Sequence, residues 1–156
     1  MEQSAQPAGS APGAGPDRDT METAVRRYFA ACNAVDRDLF AQCVSENVVH
    51  YLAKGMHGPV YGIDPIVERW GADVRANSSS WTVDGVYADE RTRTAVCEWT
   101  SVKPGLGTVL RGAEVYRFDD AGLIDEVRIY YASRRDDTEA ANELEGFPYA
   151  ERGFRA

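Results

Sequence analysis

The chain of 156 residues has the length of one domain, and with 44% hydrophobic and 27% charged residues it has the composition of an ordinary globular protein. Its formal charge of -8 at pH 7 would repel nucleic-acid phosphates and anionic lipid headgroups, so we expect neither nucleic acid nor a membrane as a partner. No apolar run has the length of a bilayer span and no secretion signal is visible, so a cytoplasmic location is expected.

The chain opens with a segment rich in Ala, Gly, Pro and Ser. Residues 1–18 offer few side chains to bury, and such a segment cannot offset the entropy cost of ordering, so the composition predicts a disordered tail. Asp19 followed by Glu22 resembles a capping box, and apolar residues then recur at helical spacing. This pattern predicts a first helix over about residues 20–34.

A second helix is predicted after Asp36, a residue type that caps helices. Its apolar face would be formed by Leu39, Phe40, Cys43 and Val44. The β-rich stretch NVVHYLA, starting at Asn47, predicts the first strand, and the turn-rich segment KGMHGPVYG predicts a loop. Asp is favoured at the N-cap of a helix and Pro at its first position, so Asp64 and Pro65 predict the start of a third helix.

From Trp81 onward the pattern changes to strands separated by turn signals. The four predicted strands are WTVDGVYA, RTAVCEWTSV, TVLRGAEVYRF and LIDEVRIYYAS. Residues 136–156 predict a short helix ending near Gly146, followed by an aromatic tail. We expect Phe147, Tyr149 and Phe154 of this tail to cover a cavity mouth or a partner subunit.

The order of the elements predicts an α+β domain over residues 19–135, with a strongly curved, cone-shaped antiparallel or mixed sheet around three helices. This order, together with the segments GIDPIVERW and RGAEVYRFDDAGLIDEVRIYY, resembles the SnoaL-like branch of the nuclear transport factor 2-like superfamily. That superfamily includes ketosteroid isomerases, epoxide hydrolases, scytalone-type dehydratases, polyketide cyclases and non-catalytic binders. The resemblance therefore implies a fold and leaves the reaction open.

The resemblance also suggests catalytic positions. Steroid isomerases of this superfamily use a tyrosine of helix one and an aspartic acid of the penultimate strand as oxyanion donors, and these positions hold Tyr28 and Glu114. Their aspartate base corresponds to Leu52, or to Tyr51 if the register moves by one, so the carboxylate base is missing. His50, two residues earlier on the same strand face, is the candidate base in its place, because a neutral imidazole can accept a proton at cellular pH.

Each of these three residues also has a structural interpretation. His50 can be a core histidine held by hydrogen bonds, and Tyr28 can simply complete the apolar stripe of its helix. Glu114 would face solvent if the register of its strand moved by one. In the cavity, by contrast, burial would raise its pKa and keep it protonated as a donor, or poise it as an acid.

The cavity wall follows from the alternation of side chains along the strands, once the resemblance sets the register. The residues assigned to ligand binding are Trp70 of the third helix and, on this wall, Trp99, Ser101, Tyr116, Ile129 and Tyr131. The opposite face would carry Glu98, Thr100, Arg111, Arg117, Glu126 and Arg128, as a solvated surface or a dimer interface. Epoxide hydrolases of the superfamily need one Arg and two Asp where this chain has Trp99, Ser101 and Ile129, so direct epoxide hydrolysis is not expected.

No cofactor or metal is expected. His50 and His57 lack a third ligand at a metal-like spacing, and His57 lies in a loop where we expect it to be exposed. The three cysteines show no CxxC spacing, and no nucleotide-binding motif occurs. We interpret the cysteines as buried thiols.

The leading hypothesis is a cofactor-independent acid–base enzyme, an isomerase, cyclase or dehydratase, acting on an apolar small molecule in specialised metabolism. The alternatives are a non-catalytic binding protein with the same cavity and an assembly module that dimerises through the outer sheet face. A homodimer is expected in any case, because Ala113, Val115 and Tyr130 lie among paired charges on that face. A cavity containing both His50 and Glu114 would favour the first two hypotheses, and a filled cone would favour the third.

Overall fold

The structure, a computed structural model, describes residues 15–132, 144–148 and 150–152. Within these ranges the helices are α1 (Arg18–Ala34), α2 (Arg37–Ala41) and α3 (Ile63–Asn77), with a single 3-10 turn at Pro104–Leu106. The strands are β1 (Val44–Tyr51), β2 (Val60–Tyr61), β3 (Ser80–Asp89), β4 (Thr94–Lys103), β5 (Thr108–Phe118) and β6 (Ile124–Tyr131). This order confirms the predicted α+β class.

The strands of the described part form one open mixed sheet in the order β2-β1-β6-β5-β4-β3. The last four strands form the predicted antiparallel meander, while β1 runs parallel to β6. The helices cover one face, with α1 against β3 and β4 and α3 against β1. The inner side chains of the strands and the apolar stripe of α1 therefore form one core, in which every candidate catalytic residue lies.

Helix α1 begins at Arg18, within the range predicted as tail and two residues before the expected start. Its cap is Asp17, whose carboxylate accepts a hydrogen bond from the Thr20 backbone N–H at 2.8 Å. Asp19, the predicted cap, lies in the first turn, where a negative charge favours the helix dipole. Residues 1–14 lie outside the described ranges, so the tail stays a prediction.

The prediction that Cys43 and Val44 continue the second helix is wrong. Asp36 caps α2 as expected, but the helix ends at Ala41 and β1 begins at Val44. Cys43 and Val44 are nevertheless fully buried. The apolar pattern was therefore a correct sign of burial, although short apolar runs do not distinguish a helix from a turn followed by a strand.

Two further boundaries differ from expectation. Val60 and Tyr61, predicted as loop, form β2 and pair with His50 and Val49 of β1, because a two-residue strand has no readable periodicity. Helix α3 begins at Ile63 with Gly62 at the N-cap, instead of after Asp64. Pro65 still lies in the first turn, where its missing N–H costs no intrahelical hydrogen bond.

The C-terminal segment runs beside the end of β1. Leu144 forms a β-bridge with Ala53, and the Glu145 backbone N–H donates to the Leu52 carbonyl at 2.8 Å. Residues 144–146 are therefore not helical, and the predicted helix end near Gly146 is wrong. The remainder of that predicted helix lies outside the described residues.

Phe147 and Arg152 cover the outer face of β1 and β6. The Phe147 ring packs edge-on against Tyr51 at 5.2 Å, and the Arg152 guanidinium lies 4.8 Å from the centre of the Phe147 ring. Arg152 also donates two hydrogen bonds to the Glu126 carboxylate, at 2.8 and 2.5 Å. Glu126 is thereby buried, which corrects the expectation that it is solvated, and its arginine partners hold its pKa below the usual value against the opposing effect of desolvation.

The described part of the aromatic tail thus packs on the outside of its own sheet and not at a cavity mouth. Tyr149 and Phe154 lie outside the described residues. We predict that Phe147→Ala lowers the free energy of unfolding by about 2–4 kcal/mol, because a buried ring and its contacts are lost. Tyr61→Ala, which removes an exposed aromatic ring from the neighbouring β2, should change it by less than about 0.5 kcal/mol. Urea denaturation measures both, and equal effects would contradict the prediction.

Candidate functional site

Five side chains from four elements meet in the interior: Tyr28 of α1, His50 of β1, Trp70 of α3, and Glu114 and Tyr116 of β5. We call them the buried cluster. The ring centres of Tyr28 and His50 lie 6.1 Å apart, those of His50 and Trp70 5.6 Å apart, and those of Tyr28 and Tyr116 5.6 Å apart. The structure therefore brings the three predicted catalytic residues into one group.

Local sequence explains each position. Tyr28 lies in the buried stripe of α1, one turn from Ala24 and from Cys32, so helix packing aims its hydroxyl inward. On β1, alternation directs Val48 and His50 to the core, while Tyr51 points outward. His50 is in register with Val127 of β6 and its side chain faces the helices.

A chain of hydrogen bonds links three members of the buried cluster. The Trp70 indole N–H donates to the Tyr28 hydroxyl oxygen at 3.2 Å, and that oxygen lies 3.4 Å from Nδ1 of His50. Nε2 of His50 has no hydrogen-bond partner among the residues that the structure describes, although it is fully buried. When Nδ1 carries the proton and donates it to Tyr28, Nε2 is a free acceptor and the Tyr28 proton is free to donate elsewhere.

Burial keeps His50 uncharged. Desolvation lowers the pKa of its imidazole from 6.5 to about 3, and the positive charge of Arg69 acts in the same direction. At neutral pH the ring is therefore a neutral group with one donor and one acceptor.

Glu114 lies in the interior, so the alternative in which it faces solvent does not apply. Desolvation raises the pKa of its carboxyl group from 4.5 to about 8, against a smaller opposite effect of the hydrogen bond that it accepts from the Tyr116 hydroxyl. Burial also raises the pKa of Tyr28 and of Cys97 above their usual values, in Cys97 to about 12. The cluster is thus uncharged at pH 7, and Glu114 is a protonated potential donor.

Of the predicted wall residues, Trp70 and Tyr116 belong to the buried cluster, whereas Trp99, Ser101 and Tyr131 lie farther along the sheet. Trp99 of β4 packs edge-on against Tyr131 of β6, with ring centres 5.4 Å apart. Ile129 is fully buried and is in register with Glu114, and Ser101 is buried near the end of β4. Nε1 of Trp99 and Oγ of Ser101, like Nε2 of His50, are buried without a hydrogen-bond partner in the ranges described.

A groove of about 480 Å³ opens beside α3. Of the predicted site residues only Trp70 and Tyr131 line it, so the expected open cavity containing His50, Tyr28 and Glu114 together is not what the structure describes. Trp70 contacts both the groove and the buried cluster, and its side chain separates the two. His50 and Tyr28 are themselves fully buried, so the groove does not reach them in this structure.

The remaining groove residues were missed from the sequence. They include Met56, Pro65, Arg69, Ala72, Asp73 and Lys103. Positions 65, 69, 72 and 73 share one face of α3, so helical periodicity was the signal that could have found them. Lys103 pairs with Asp73 at 2.5 Å, and Arg69 donates to the Met56 carbonyl at 2.5 Å, so these polar groups hold the groove walls together.

Within the described ranges, no group of three or more His, Cys, Asp or Glu side chains is placed to hold a metal ion. His57 is exposed in the loop before β2. In the same ranges no helix combines the length and the apolar character of a membrane span.

The SnoaL-like domain family matches residues 25–127, two thirds of the chain, whereas no curated protein gives a match. Among solved structures, a protein of unknown function with a cystatin-like fold from Methylobium petroleophilum PM1 is 40% identical, with a TM-score of 0.81 over 90% of this chain and 93% of that chain.

Two more distant structures share the fold alone. The epoxide hydrolase/cyclase-like enzyme SalBIII, described for pyran ring formation in the polyether salinomycin, is 16% identical, with a TM-score of 0.62 over 74% of this chain and 93% of that chain. A Mycobacterium tuberculosis protein in complex with estradiol-17β-hemisuccinate is 18% identical, with a TM-score of 0.60 over 71% of this chain and 92% of that chain. From the family match and the shared fold, the chain belongs to the SnoaL-like domain family, as the resemblance in its sequence predicted.

Proposed function

We propose that the chain is a cofactor-independent acid–base enzyme, of isomerase, cyclase or dehydratase type, that acts on an apolar small molecule bearing a carbonyl group. The observation that carries the proposal is the unpartnered Nε2 of His50, buried beside the hydroxyl of Tyr28. A second donor, the protonated carboxyl group of Glu114, lies in the same buried cluster. A base and two neutral donors in an apolar interior are what enolate chemistry needs.

The proposed reaction begins with proton transfer. Nε2 of His50 takes a proton from the carbon next to the substrate carbonyl, the electron pair of that C–H bond forms a C=C bond, and the π pair of the C=O bond moves to the oxygen. The hydroxyl of Tyr28 and the carboxyl of Glu114 donate hydrogen bonds to the resulting enolate oxygen. Return of the same proton to another carbon gives an isomer. Attack of the enolate carbon on a second carbonyl carbon of the same molecule closes a ring instead, and the proton held by His50 then passes to the alkoxide oxygen that this attack produces.

The low pKa of His50 is compatible with this role. The pKa of about 3 applies to the protein without substrate, where a buried imidazolium has no negative charge beside it. During the reaction the enolate supplies that counter-charge as the proton arrives, and an opposite charge within about 4–6 Å favours the protonated imidazole. The barrier is therefore lowered by formation of an ion pair inside the site.

Access to the buried cluster requires a change at Trp70. Since this side chain separates the groove from the cluster, we infer that the substrate enters from the groove and displaces the indole. The displaced indole N–H leaves the Tyr28 oxygen, so the arriving substrate meets a hydroxyl group already oriented by His50.

The experiment that tests the proposal starts from the ligand. Native mass spectrometry of the purified protein, followed by extraction, identifies the molecule that it retains, and we expect an apolar carbonyl compound. Incubating that compound with protein in D₂O, without metal or cofactor, should introduce deuterium at the carbon next to the carbonyl. Binding of the compound without deuterium uptake or product formation would contradict the proposal that the protein is an enzyme.

Binding without reaction is what we expect if the chain is instead a non-catalytic small-molecule-binding protein. It is favoured by the closed cluster and by the steroid derivative bound to the Mycobacterium tuberculosis relative. The closed interior also agrees with an assembly module. Three buried polar atoms on the inner face of the sheet, in His50, Trp99 and Ser101, have no partner among the described residues. They argue against a purely structural core, because such atoms reduce stability.

We also propose that the protein is a homodimer formed through the outer face of β3, β4 and β5. This face exposes apolar side chains, at Tyr87, Val96, Val102 and Val109. Light scattering at tens of micromolar protein should give twice the chain mass of 17.2 kDa. Val96→Glu should shift the protein toward monomer, whereas Leu106→Glu, an exposed position in the 3-10 turn, should not. A monomeric wild type would contradict the proposal.

A further inference from the structure

Two buried polar side chains on β4 lie apart from the buried cluster. Within the described part of the chain, Nε1 of Trp99 and Oγ of Ser101 have no hydrogen-bond partner, and the exposed fractions of the two residues are only 3% and 1%. They are two residues apart on one strand, so both face the interior. Buried polar groups are normally paired, and two unpaired groups on one wall indicate a ligand that pairs them.

The Trp99 indole is held in a defined orientation. Its register partner on β5 is Gly112, and a Cβ atom there would lie 2.4 Å from Cζ2 and 2.9 Å from Cε2 of Trp99. Cε2 is bonded to Nε1, so the absence of a side chain at Gly112 lets the nitrogen-bearing edge of the indole lie against β5. On β6 the ring meets the Tyr131 ring edge-on. The N–H is thus a donor positioned before any ligand arrives.

The sheet register gives the spacing from the buried cluster. Glu114 pairs with Cys97, Trp99 follows two residues later and Ser101 four residues later. Each two-residue step along a strand covers about 7 Å, so these residues lie about 7 and 14 Å from the level of Glu114. They lie toward Lys103 and Tyr131, which line the groove.

We propose that Trp99 and Ser101 form a second polar anchor, which binds an oxygen atom at the trailing end of the ligand. The indole N–H can only donate, and the Ser101 hydroxyl can donate or accept, so the anchor suits a ketone or hydroxyl oxygen. Neither group is charged, so a carboxylate is not the expected partner. The inference rests on the proposed function, because it assumes that the leading oxygen of the same ligand lies at Tyr28 and Glu114.

The second anchor defines a substrate class: elongated, largely apolar molecules with oxygen functions near both ends, roughly 7–14 Å apart by the rise of the strand. It also determines orientation. A molecule whose trailing oxygen is bound at Trp99 and Ser101 presents its other end to His50, so the anchor selects which carbonyl group reacts.

The test uses two steroids that differ in one oxygen. Androst-4-ene-3,17-dione has an oxygen at each end of its ring system, and androst-4-en-3-one lacks the distant one. Isothermal titration of the wild type should show the dione binding about 3- to 10-fold tighter, the value of one or two hydrogen bonds. An apolar cavity without the anchor would prefer the less water-solvated monoketone.

Variants assign the preference to the anchor. Trp99→Phe and Ser101→Ala should each lower the dione-to-monoketone ratio to within about 2-fold of unity, chiefly through weaker dione binding. Thr100→Ala, which removes a hydroxyl group from the opposite face of the same strand, should retain the wild-type ratio. Thermal melting verifies that each variant is folded.

A spectroscopic measurement detects the bond directly. In ¹⁵N-indole-labelled protein, the resonance lost in Trp99→Phe should move downfield with the dione and not with the monoketone. The inference is overturned if the wild type does not prefer the dione, if neither steroid binds below about 1 mM, or if Trp99→Phe and Ser101→Ala leave the ratio unchanged. His50→Gln should retain the ratio whatever it does to turnover, so failure of the catalytic proposal and failure of the anchor are separate results.

Discussion

His50→Gln should lower the turnover of the substrate by about 10²- to 10⁴-fold while the protein stays folded, because a positioned general base contributes that much. Glutamine fills a similar volume and its amide can still hydrogen-bond to the Tyr28 hydroxyl, but it cannot accept a proton from carbon. The loss should lie in kcat, because the variant retains the apolar contacts that bind the substrate.

The matched control is His57→Gln. His57 is the only other histidine of the chain and is exposed in the loop before β2, so its replacement should leave turnover unchanged. The measurement is deuterium uptake or product formation with the ligand retained by the protein. If His50→Gln keeps most of its activity, His50 is not the base and the binding-protein alternative takes first place.

The second large effect is on stability. The free energy of unfolding should fall by about 1 kcal/mol per pH unit between pH 6.5 and 8, because of Glu114. Its pKa is about 8 in the folded protein and 4.5 as the ordinary value, so between these limits the folded state holds one proton more than the unfolded state. Stability therefore decreases as the pH rises through this window.

His50 has the opposite effect over a different window. Its pKa is about 3 in the folded protein and 6.5 as the ordinary value, so between these limits the unfolded state binds the additional proton and stability increases with pH. Between pH 4.5 and 6.5 the two contributions cancel and a plateau is expected. Below 4.5 the His50 contribution is unopposed, and the lowered pKa values of Asp73 and Glu126 act in the same direction.

Glu114→Gln isolates the alkaline side of this curve. The amide does not titrate, so the variant should lose the decrease above pH 6.5, while Glu98→Gln on the exposed outer face of β4 should retain it. Urea denaturation at half-unit pH steps measures the slopes. A slope near zero in the wild type above pH 6.5 would show that Glu114 is ionised in the folded protein.

The same variant is informative in the activity assay. If Glu114 acts as a neutral donor, its amide replacement still donates a hydrogen bond, and turnover should fall much less than in His50→Gln. If Glu114 itself transfers the proton, the two losses should be similar.

From the sequence alone, we could determine the features that follow a strict period. Alternation along each of β4, β5 and β6 divided its residues between two faces, because a strand has a period of two, and the resemblance to the SnoaL-like branch assigned Trp99, Glu114 and Ile129 to the inward face. The spacing in α1 likewise predicted a buried Tyr28. Where no period exists, the sequence did not predict the element. The two-residue β2 was predicted as a loop, and for Cys43 and Val44 only the burial was predicted correctly.

The tertiary structure decided everything that depends on which faces meet. The contact between Tyr28 and His50 joins residues 22 apart, and that between Trp70 and Tyr28 joins residues 42 apart, through three elements whose docking no local pattern encodes. Periodicity specifies the face of a side chain, but not its rotamer, its hydrogen-bond partner or the volume left beside it. For this reason the residues of the buried cluster were predictable from the sequence, whereas its closure by Trp70, the groove beyond it and the unpartnered atoms of Trp99 and Ser101 were visible only in the folded chain.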